Sequence, residues 1–238
     1  MNLTQKLIFA MVMVELAGIL VLSHVLVANY RGEGIAKFAI MASIFVASLL
    51  VPKLTKMHRV IGLAFIFVFI GDFFLVFLGT LPGISKDDLF VKIGGMIGFL
   101  GAYSTLIWLL TRKFSFGIKD ILALLPVLVV LVPVMAILVP HISGPFLIFA
   151  VVFGLVVGGM AWNALCTVHR GYYTRKVAVR FAIAGFLMFF SDMGVAFVFF
   201  YPGMQSNVPW LENEIWITYV PAWTLILMNL LEQKLLSK

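Results

Sequence analysis

Charged residues are scarce in this sequence: Asp, Glu, Lys and Arg together make up 11% of the 238 residues, against 63% hydrophobic residues. Soluble domains carry about 25% charged residues, so this composition excludes an ordinary water-soluble fold. The apolar runs also lack the period-two alternation of membrane barrel strands. They are instead about 20 residues long, which is the length that a helix needs to cross the hydrocarbon of a bilayer.

Eight such runs predict an all-α protein, an eight-helix transmembrane bundle. The first run is too long for a cleaved signal peptide and carries Glu15, so we expect it to stay as the first helix. The remaining loops leave no room for a water-soluble domain, and residues 1–238 are predicted to form a single domain. The predicted helices cover residues 6–28, 35–51, 60–80, 90–110, 118–138, 145–166, 178–200 and 214–232.

The net charge of +7 is distributed in a way that argues against a nucleic-acid partner. The basic residues alternate from loop to loop and do not form one patch. In the eight-helix topology thirteen of the 17 lie on one side of the membrane, and the other side holds only Arg31, Lys37, Lys86 and Lys92. The positive-inside rule then predicts that both termini lie in the cytoplasm.

The motifs of several enzyme classes are missing. The chain has no Gly-x-Ser-x-Gly of serine lipases, no His-Glu-x-x-His and no phosphate-binding glycine loop. Its one cysteine, Cys166, excludes an internal disulfide and, as a lone thiol, leaves no thiol-based metal site. We expect the four histidines to be interfacial residues, and we predict neither a metal nor a cofactor.

Two patterns of glycine predict close packing between helices. Gly94, Gly98 and Gly101 lie on one face of the fourth predicted helix, and Gly154 and Gly158 form a GxxxG pattern on the sixth. Without a side chain at these positions, the backbones of neighbouring helices can approach closely.

Three acidic residues, Glu15, Asp72 and Asp192, lie well inside the predicted helices. A carboxyl group at that depth costs several kcal/mol, so it should face the interior of the bundle and meet a partner or water there. Asp72 follows Arg59 and Asp192 follows Arg180 by about 12–13 residues, which places both aspartates roughly 18–20 Å along their helices. Because they are 120 residues apart, a duplication of four helices is a further hypothesis.

Each aspartate is a candidate partner for the other, because the three- and four-position neighbours on its own helix are apolar. Two carboxyl groups in a poorly solvated cavity cannot easily both ionise, so one keeps its proton beside the other carboxylate. That combination is suited to acid–base hydrolysis. The alternatives are interhelical hydrogen bonding without catalysis, which we favour for Glu15, and proton coupling in a transporter or lipid-binding protein.

Three motifs connect these residues to a known family. Residues 69–75 read Phe-Ile-Gly-Asp-Phe-Phe-Leu, and residues 185–192 read Gly-Phe-Leu-Met-Phe-Phe-Ser-Asp. Residues 216–222 read Trp-Ile-Thr-Tyr-Val-Pro-Ala. In this order they resemble the Gly-Asp, Gly-x-x-x-Phe-x-Ser-Asp and Thr-Tyr motifs of the YhhN-like lysoplasmalogenases, eight-helix membrane proteins that cleave the vinyl ether of lysoplasmalogens. Lys37 stands where that family often has Lys-Pro.

The resemblance implies hydrolysis of a lysoplasmalogen, a 1-O-alkenyl lysophospholipid, to a fatty aldehyde and a glycerophospho-alcohol in the inner membrane of a bacterium. Vinyl ethers hydrolyse when an acid protonates the β-carbon and water captures the resulting oxocarbenium ion. In this hypothesis one of Asp72 and Asp192 donates the proton, and the other stabilises the cation or activates water.

Four more residues are candidates for the substrate site. We expect Tyr219 to hydrogen-bond an aspartate or a substrate oxygen, and Ser191 to orient Asp192. Lys37 and Lys92, near the outer ends of their helices, are the candidate ligands of the substrate phosphate.

Overall fold

A computed structural model describes residues 3–25, 30–85, 88–114, 116–204 and 209–237. In these residues the chain forms eight α-helices and no named strand, which confirms the all-α, eight-helix prediction. The helices are α1 Leu3–Val25, α2 Tyr30–Leu50, α3 Lys56–Asp72, α4 Leu89–Leu110, α5 Ile118–Leu138, α6 Pro145–Arg170, α7 Arg175–Phe200 and α8 Pro209–Leu230.

Six helical stretches within the described residues are long and apolar enough to cross a membrane. The protein is therefore a multi-pass membrane protein, while the side on which its termini lie stays a prediction. The six stretches are Gly32–Leu50, Lys56–Thr80, Leu89–Leu110, Ile118–His141, Phe146–Arg170 and Arg175–Phe200.

Local sequence signals account for where several helices begin and end. Thr55 caps α3, because its hydroxyl oxygen accepts the backbone N–H of His58 at 3.4 Å. Pro145 occupies the first turn of α6, where no backbone N–H is needed. Gly171 ends α6 with a φ of 65°, a left-handed conformation that costs glycine little and other residues more.

The helices form two compact units. The first comprises Met1–Leu106 with Leu230–Gln233, and the second comprises Ile107–Asn229 with Lys234–Lys238. Asp72 belongs to the first unit and Asp192 to the second. The single domain and the four-helix duplication stay predictions.

In the first unit, glycines bring α4 directly against α3, as predicted. A Cβ atom at Gly98 would collide with the backbone nitrogen of Gly71, so the two helices touch backbone to backbone. A Cβ at Gly94 would enter the ring of Phe74, and one at Gly101 would lie 2.6 Å from the ring of Phe67. These positions tolerate only glycine unless the neighbouring helix moves.

In the second unit, the GxxxG pattern of α6 packs against α5, which confirms that prediction as well. A Cβ at Gly158 would lie 2.9 Å from the side chain of Leu131, and one at Gly154 would lie 3.3 Å from the sulfur of Met135. Helix α7 packs against α6, since Gly185 rests on Ala164.

Candidate active site

Asp72 ends the α-helical part of its span and is 1% exposed. Residues Phe73–Phe77 continue as a π-helical turn, and Leu78–Thr80 as a 3-10 turn. The sequence predicted a single helix over 60–80, without this change of hydrogen-bonding pattern. Single π turns inside helices are frequent at functional sites, so the position of Asp72 supports its candidacy.

Gly71, the other half of the Gly-Asp motif, lets α4 approach the chain immediately before the carboxyl group. A Cβ at this position would lie 2.9 Å from the ring of Phe99. On the opposite helix Gly98 meets the backbone of Gly71 itself. The motif therefore combines a close contact between two helices with a buried acid on the next residue.

Lys37 lies on α2, the helix that packs along α3 and its π turn. Its side chain is buried and forms an ion pair with Glu33, one helical turn earlier. The next residue, Phe38, places its ring 5.4 Å from that of Phe69, three residues before Asp72. Lys37 thus lies on the part of α2 that faces the Asp72 region, and its phosphate role stays a prediction.

The sequence analysis did not single out Glu33. The signal for it was the four-residue spacing to Lys37, which places a Glu and a Lys on one helix face. This partner makes Lys37 part of an ion pair along α2.

Lys92 lies in the first turn of α4, half-buried, and its backbone N–H donates to the carbonyl of Asp88 at 3.1 Å. An open, mainly apolar groove of about 620 Å³ runs beside this turn. The groove is lined by Phe74, Asp88, Leu89, Phe90, Ile93 and Gly94. Phe74 belongs to the π turn that follows Asp72, so the groove adjoins the candidate acid along the chain.

Asp192 lies within α7 and is 6% exposed. The hydroxyl of Ser191 donates to the carbonyl of Ile215 on α8 at 3.2 Å. This bond holds α7 against α8 beside Asp192 and differs from the expected contact, in which Ser191 orients the aspartate. Whether Ser191 also orients the carboxyl group stays a prediction.

Tyr219 is buried in a row of aromatic residues on α8. Its ring lies 5.7 Å from that of Trp216 and 6.4 Å from that of Trp223. Its expected hydrogen bond to an aspartate or to substrate stays a prediction.

The structure also places an acid that the sequence analysis missed next to the helix of Asp192. A Cβ at Gly194 would lie 2.6 Å from Oε2 of Glu214, so the carboxylate of Glu214 occupies the space that glycine leaves on α7. A glycine two residues after the aspartate was the signal. Glu15 is half-buried, and its Oε2 is buried without a hydrogen bond to any described residue, which gives no support to a bonding role for that oxygen.

A second group of polar residues joins α5 and α6 in the second unit. Asp120 accepts hydrogen bonds from Nε of Arg170 at 2.9 Å and from the backbone N–H of Gly117 at 3.2 Å, and Nη2 of Arg170 forms an ion pair with its Oδ1 at 2.8 Å. The ligand atoms of Asp120, Cys166 and His169 all lie within 4.8 Å of one another. The sequence analysis treated Cys166 as an isolated thiol and His169 as an interfacial residue, so it missed this grouping.

The two predicted catalytic acids are each buried in their own unit, Asp72 in the first and Asp192 in the second. Their pairing stays a prediction.

Comparisons with known proteins give a family. Neither a search of curated proteins nor a search of solved structures found a match. The sequence model of the YhhN family matches residues 33–230, which is most of the chain and includes both aspartates, Lys37, Lys92, Ser191 and Tyr219. The chain therefore belongs to the YhhN family, which is the lysoplasmalogenase family.

Proposed function

We propose that this protein is a membrane hydrolase that cleaves the vinyl-ether bond of a lysoplasmalogen. The observation that carries the proposal is the near-complete burial of Asp72 and Asp192, the acids of its two family-like motifs. Carboxyl groups inside membrane helices are costly, so they are functional candidates by default. The substrate is a lysophospholipid drawn from the bilayer, and the reaction needs no cofactor.

The reaction divides into two proton transfers. A protonated carboxyl group gives its proton to the β-carbon of the vinyl ether, which leaves an oxocarbenium ion. Water adds to that ion and gives up a proton to the second carboxylate, and the resulting hemiacetal separates into a fatty aldehyde and a glycerophospho-alcohol. Asp72 and Asp192 are the proposed pair, because two carboxyl groups in different protonation states can serve as acid and base.

The surroundings of Asp72 suit a positively charged intermediate. The rings of Phe38, Phe69 and Phe73 cluster beside its helix, with Phe38 lying 5.4 Å from Phe69 and 6.3 Å from Phe73. Apolar walls exclude water, and a carboxylate acts on a nearby cation more strongly in such surroundings than in water. The same rings offer an apolar surface to the alkenyl chain.

The test is release of fatty aldehyde from lysoplasmalogen by the purified protein in detergent, followed by mass spectrometry. We expect Asp72→Asn and Asp192→Asn each to lower turnover about 10²–10⁴-fold, the usual contribution of a general acid or base. Glu232→Gln, in the segment after α8, serves as the matched control and should keep turnover. Full activity in both aspartate variants would refute the acid–base pair.

A proton-coupled transporter or lipid-binding protein is the second candidate. The observation that favours it is the division into two compact units, each with one buried aspartate, because many transporters are built from two related halves. Proton-dependent uptake of solute into proteoliposomes without product formation would support it and would replace the hydrolase proposal.

A further inference from the structure

We propose that Asp120, Cys166 and His169 bind a divalent metal ion of the zinc type in the second unit. None of these three residues is one of the two aspartates proposed for catalysis. Their ligand atoms all lie within 4.8 Å of one another, which is close enough for a single ion to contact all three.

The fold brings these side chains together from two helices. Cys166 and His169 are three residues apart near the end of α6, so they share one face of that helix. Asp120 lies in the first turn of α5, and α5 packs along α6. The carboxylate is fixed in place by the backbone N–H of Gly117, which donates to Oδ2 at 3.2 Å.

The donor set and its spacing fit zinc. Thiolate, imidazole and carboxylate are the three protein ligands that zinc prefers. With Zn–N and Zn–O bonds of about 2.1 Å, two ligand atoms of a tetrahedral site lie about 3.4 Å apart. Nε2 of His169 lies 3.4 Å from Oδ1 of Asp120. Three protein ligands would leave the fourth position to a water molecule.

The positive charge of Arg170 disfavours a metal cation at this site, since the guanidinium already binds Oδ1 of Asp120. A carboxylate has about four lone-pair positions, however, and metal-binding carboxylates ordinarily accept hydrogen bonds from residues behind them. Asn163 fixes the other side of the guanidinium, because its Oδ1 accepts from Nη1 of Arg170 at 3.0 Å. The guanidinium is then a partner that orients the carboxylate.

Binding replaces the thiol proton. The sulfur of Cys166 lies within 4.8 Å of the ligand atom of Asp120, and on binding the thiol proton passes to the buffer while the sulfur bonds to the metal. The cluster gains one net positive charge, because the ion brings two charges and one proton leaves.

A metal ion can reach the three ligands from the side on which His169 is exposed. The Asp120 side chain is 2% exposed and Cys166 is fully buried, but the His169 side chain is 22% exposed. An ion therefore meets His169 first. Once bound, it would join the start of α5 to the end of α6.

The experiment is a Co²⁺ titration of the full-length protein in detergent after treatment with a chelator. We expect a near-ultraviolet thiolate-to-cobalt charge-transfer band that saturates at one ion per chain and disappears when Zn²⁺ is added. Cys166 is the only cysteine of the chain, so such a band identifies its own ligand. This readout does not depend on vinyl-ether hydrolysis, so the site and the proposed function can fail separately.

Single substitutions test which residues bind the metal ion. We expect Cys166→Ser to abolish the band and His169→Gln to weaken Co²⁺ binding by about tenfold or more, since even residues behind the ligands contribute that much. His141→Gln, in the 3-10 turn that follows α5, is the matched control and should bind as the unaltered protein does, with circular dichroism confirming that each variant is folded. A Co²⁺ spectrum without the thiolate band, or a band of full strength in His169→Gln, would overturn the proposal.

Discussion

Asp72 and Asp120 are both almost fully buried, yet their surroundings differ in kind. Asp120 lies at the first turn of α5, where Arg170 and the backbone of Gly117 donate hydrogen bonds to it. Asp72 lies where an α-helix passes into a π turn, and its three- and four-position neighbours along the chain are apolar. The comparison teaches that burial alone does not mark a catalytic acid. A carboxylate held by a neighbouring guanidinium stabilises the packing of two helices, whereas Asp72 is distinguished by its family-like motif and by the π turn that follows it.

The largest effect is expected at Asp72, where a substitution should lower activity and leave stability nearly unchanged. We expect Asp72→Asn to lower aldehyde release about 10²–10⁴-fold. Because asparagine is nearly isosteric and adds no charge, the thermal unfolding midpoint should change little. A variant that unfolds at much lower temperature would show that Asp72 is architectural like Asp120.

The next largest effect is expected at Asp120, where the substitution should lower the stability of the protein. Asp120→Asn leaves the buried guanidinium of Arg170 without its counter-charge and should destabilise the protein by about 3–5 kcal/mol. Thermal unfolding in detergent measures this loss. The double variant Asp120→Asn with Arg170→Gln should recover part of it, since no uncompensated charge remains. If the loss in the double variant equals the sum of the losses in Asp120→Asn and Arg170→Gln, the pair is not coupled.

A smaller effect should follow from separating the helices beside Asp72. Gly98→Ala places a methyl group against the backbone of Gly71 and should cost about 1–3 kcal/mol through overpacking. Aldehyde release should fall as well, because the shift of α4 displaces the chain next to the acid. Gly18→Ala on α1 is the control, since no atom lies within 4 Å of its added Cβ and little change is expected there. If both variants behave alike, the contact at Gly71 does not position the site.

The smallest effect concerns Tyr173, in the loop between α6 and α7. Its hydroxyl donates to the carbonyl of Leu109 at 2.6 Å, and Tyr173→Phe should cost about 1 kcal/mol. Burial raises the pKa of Tyr173 above its ordinary value near 10, so the stability from this group is present below about pH 10 and is lost as pH rises further.

Unfolding curves at neutral and alkaline pH test whether the stability contributed by Tyr173 is lost at high pH. Tyr173→Phe should remove part of the alkaline loss, whereas Tyr172→Phe at the neighbouring, half-buried residue should leave it in place. An unchanged alkaline loss in Tyr173→Phe would assign it to other groups.

Most of the fold was predictable because the length and hydropathy of the runs determine it. The prediction for α5 matches residue for residue, and the stripe of Gly94, Gly98 and Gly101 packs where the spacing placed it. The π turn after Asp72 was not predictable from these signals. It depends on how α3 meets α2 and α4, which hydropathy does not encode.

The Asp120 cluster was missed for a related reason. Asp120 follows Gly117 at the edge of a predicted span and reads as a surface charge, while Cys166 and His169 lie in or next to another predicted helix. Only the packing of α5 on α6 brings them within reach of one another. Glu214 shows the same limit, since only the packing of α7 on α8 places it against Gly194. Glu33 differs, because its four-residue spacing to Lys37 is visible in the sequence.

The contact of Gly71 with Gly98 has a mechanical consequence for the first unit. Because no side chain separates the two backbones there, α4 cannot come closer to the residue before Asp72, and any larger residue at position 98 has to push the two helices apart. On the α2 side, by contrast, the rings of Phe38, Phe69 and Phe73 lie between the helices, so α2 meets this segment through side chains.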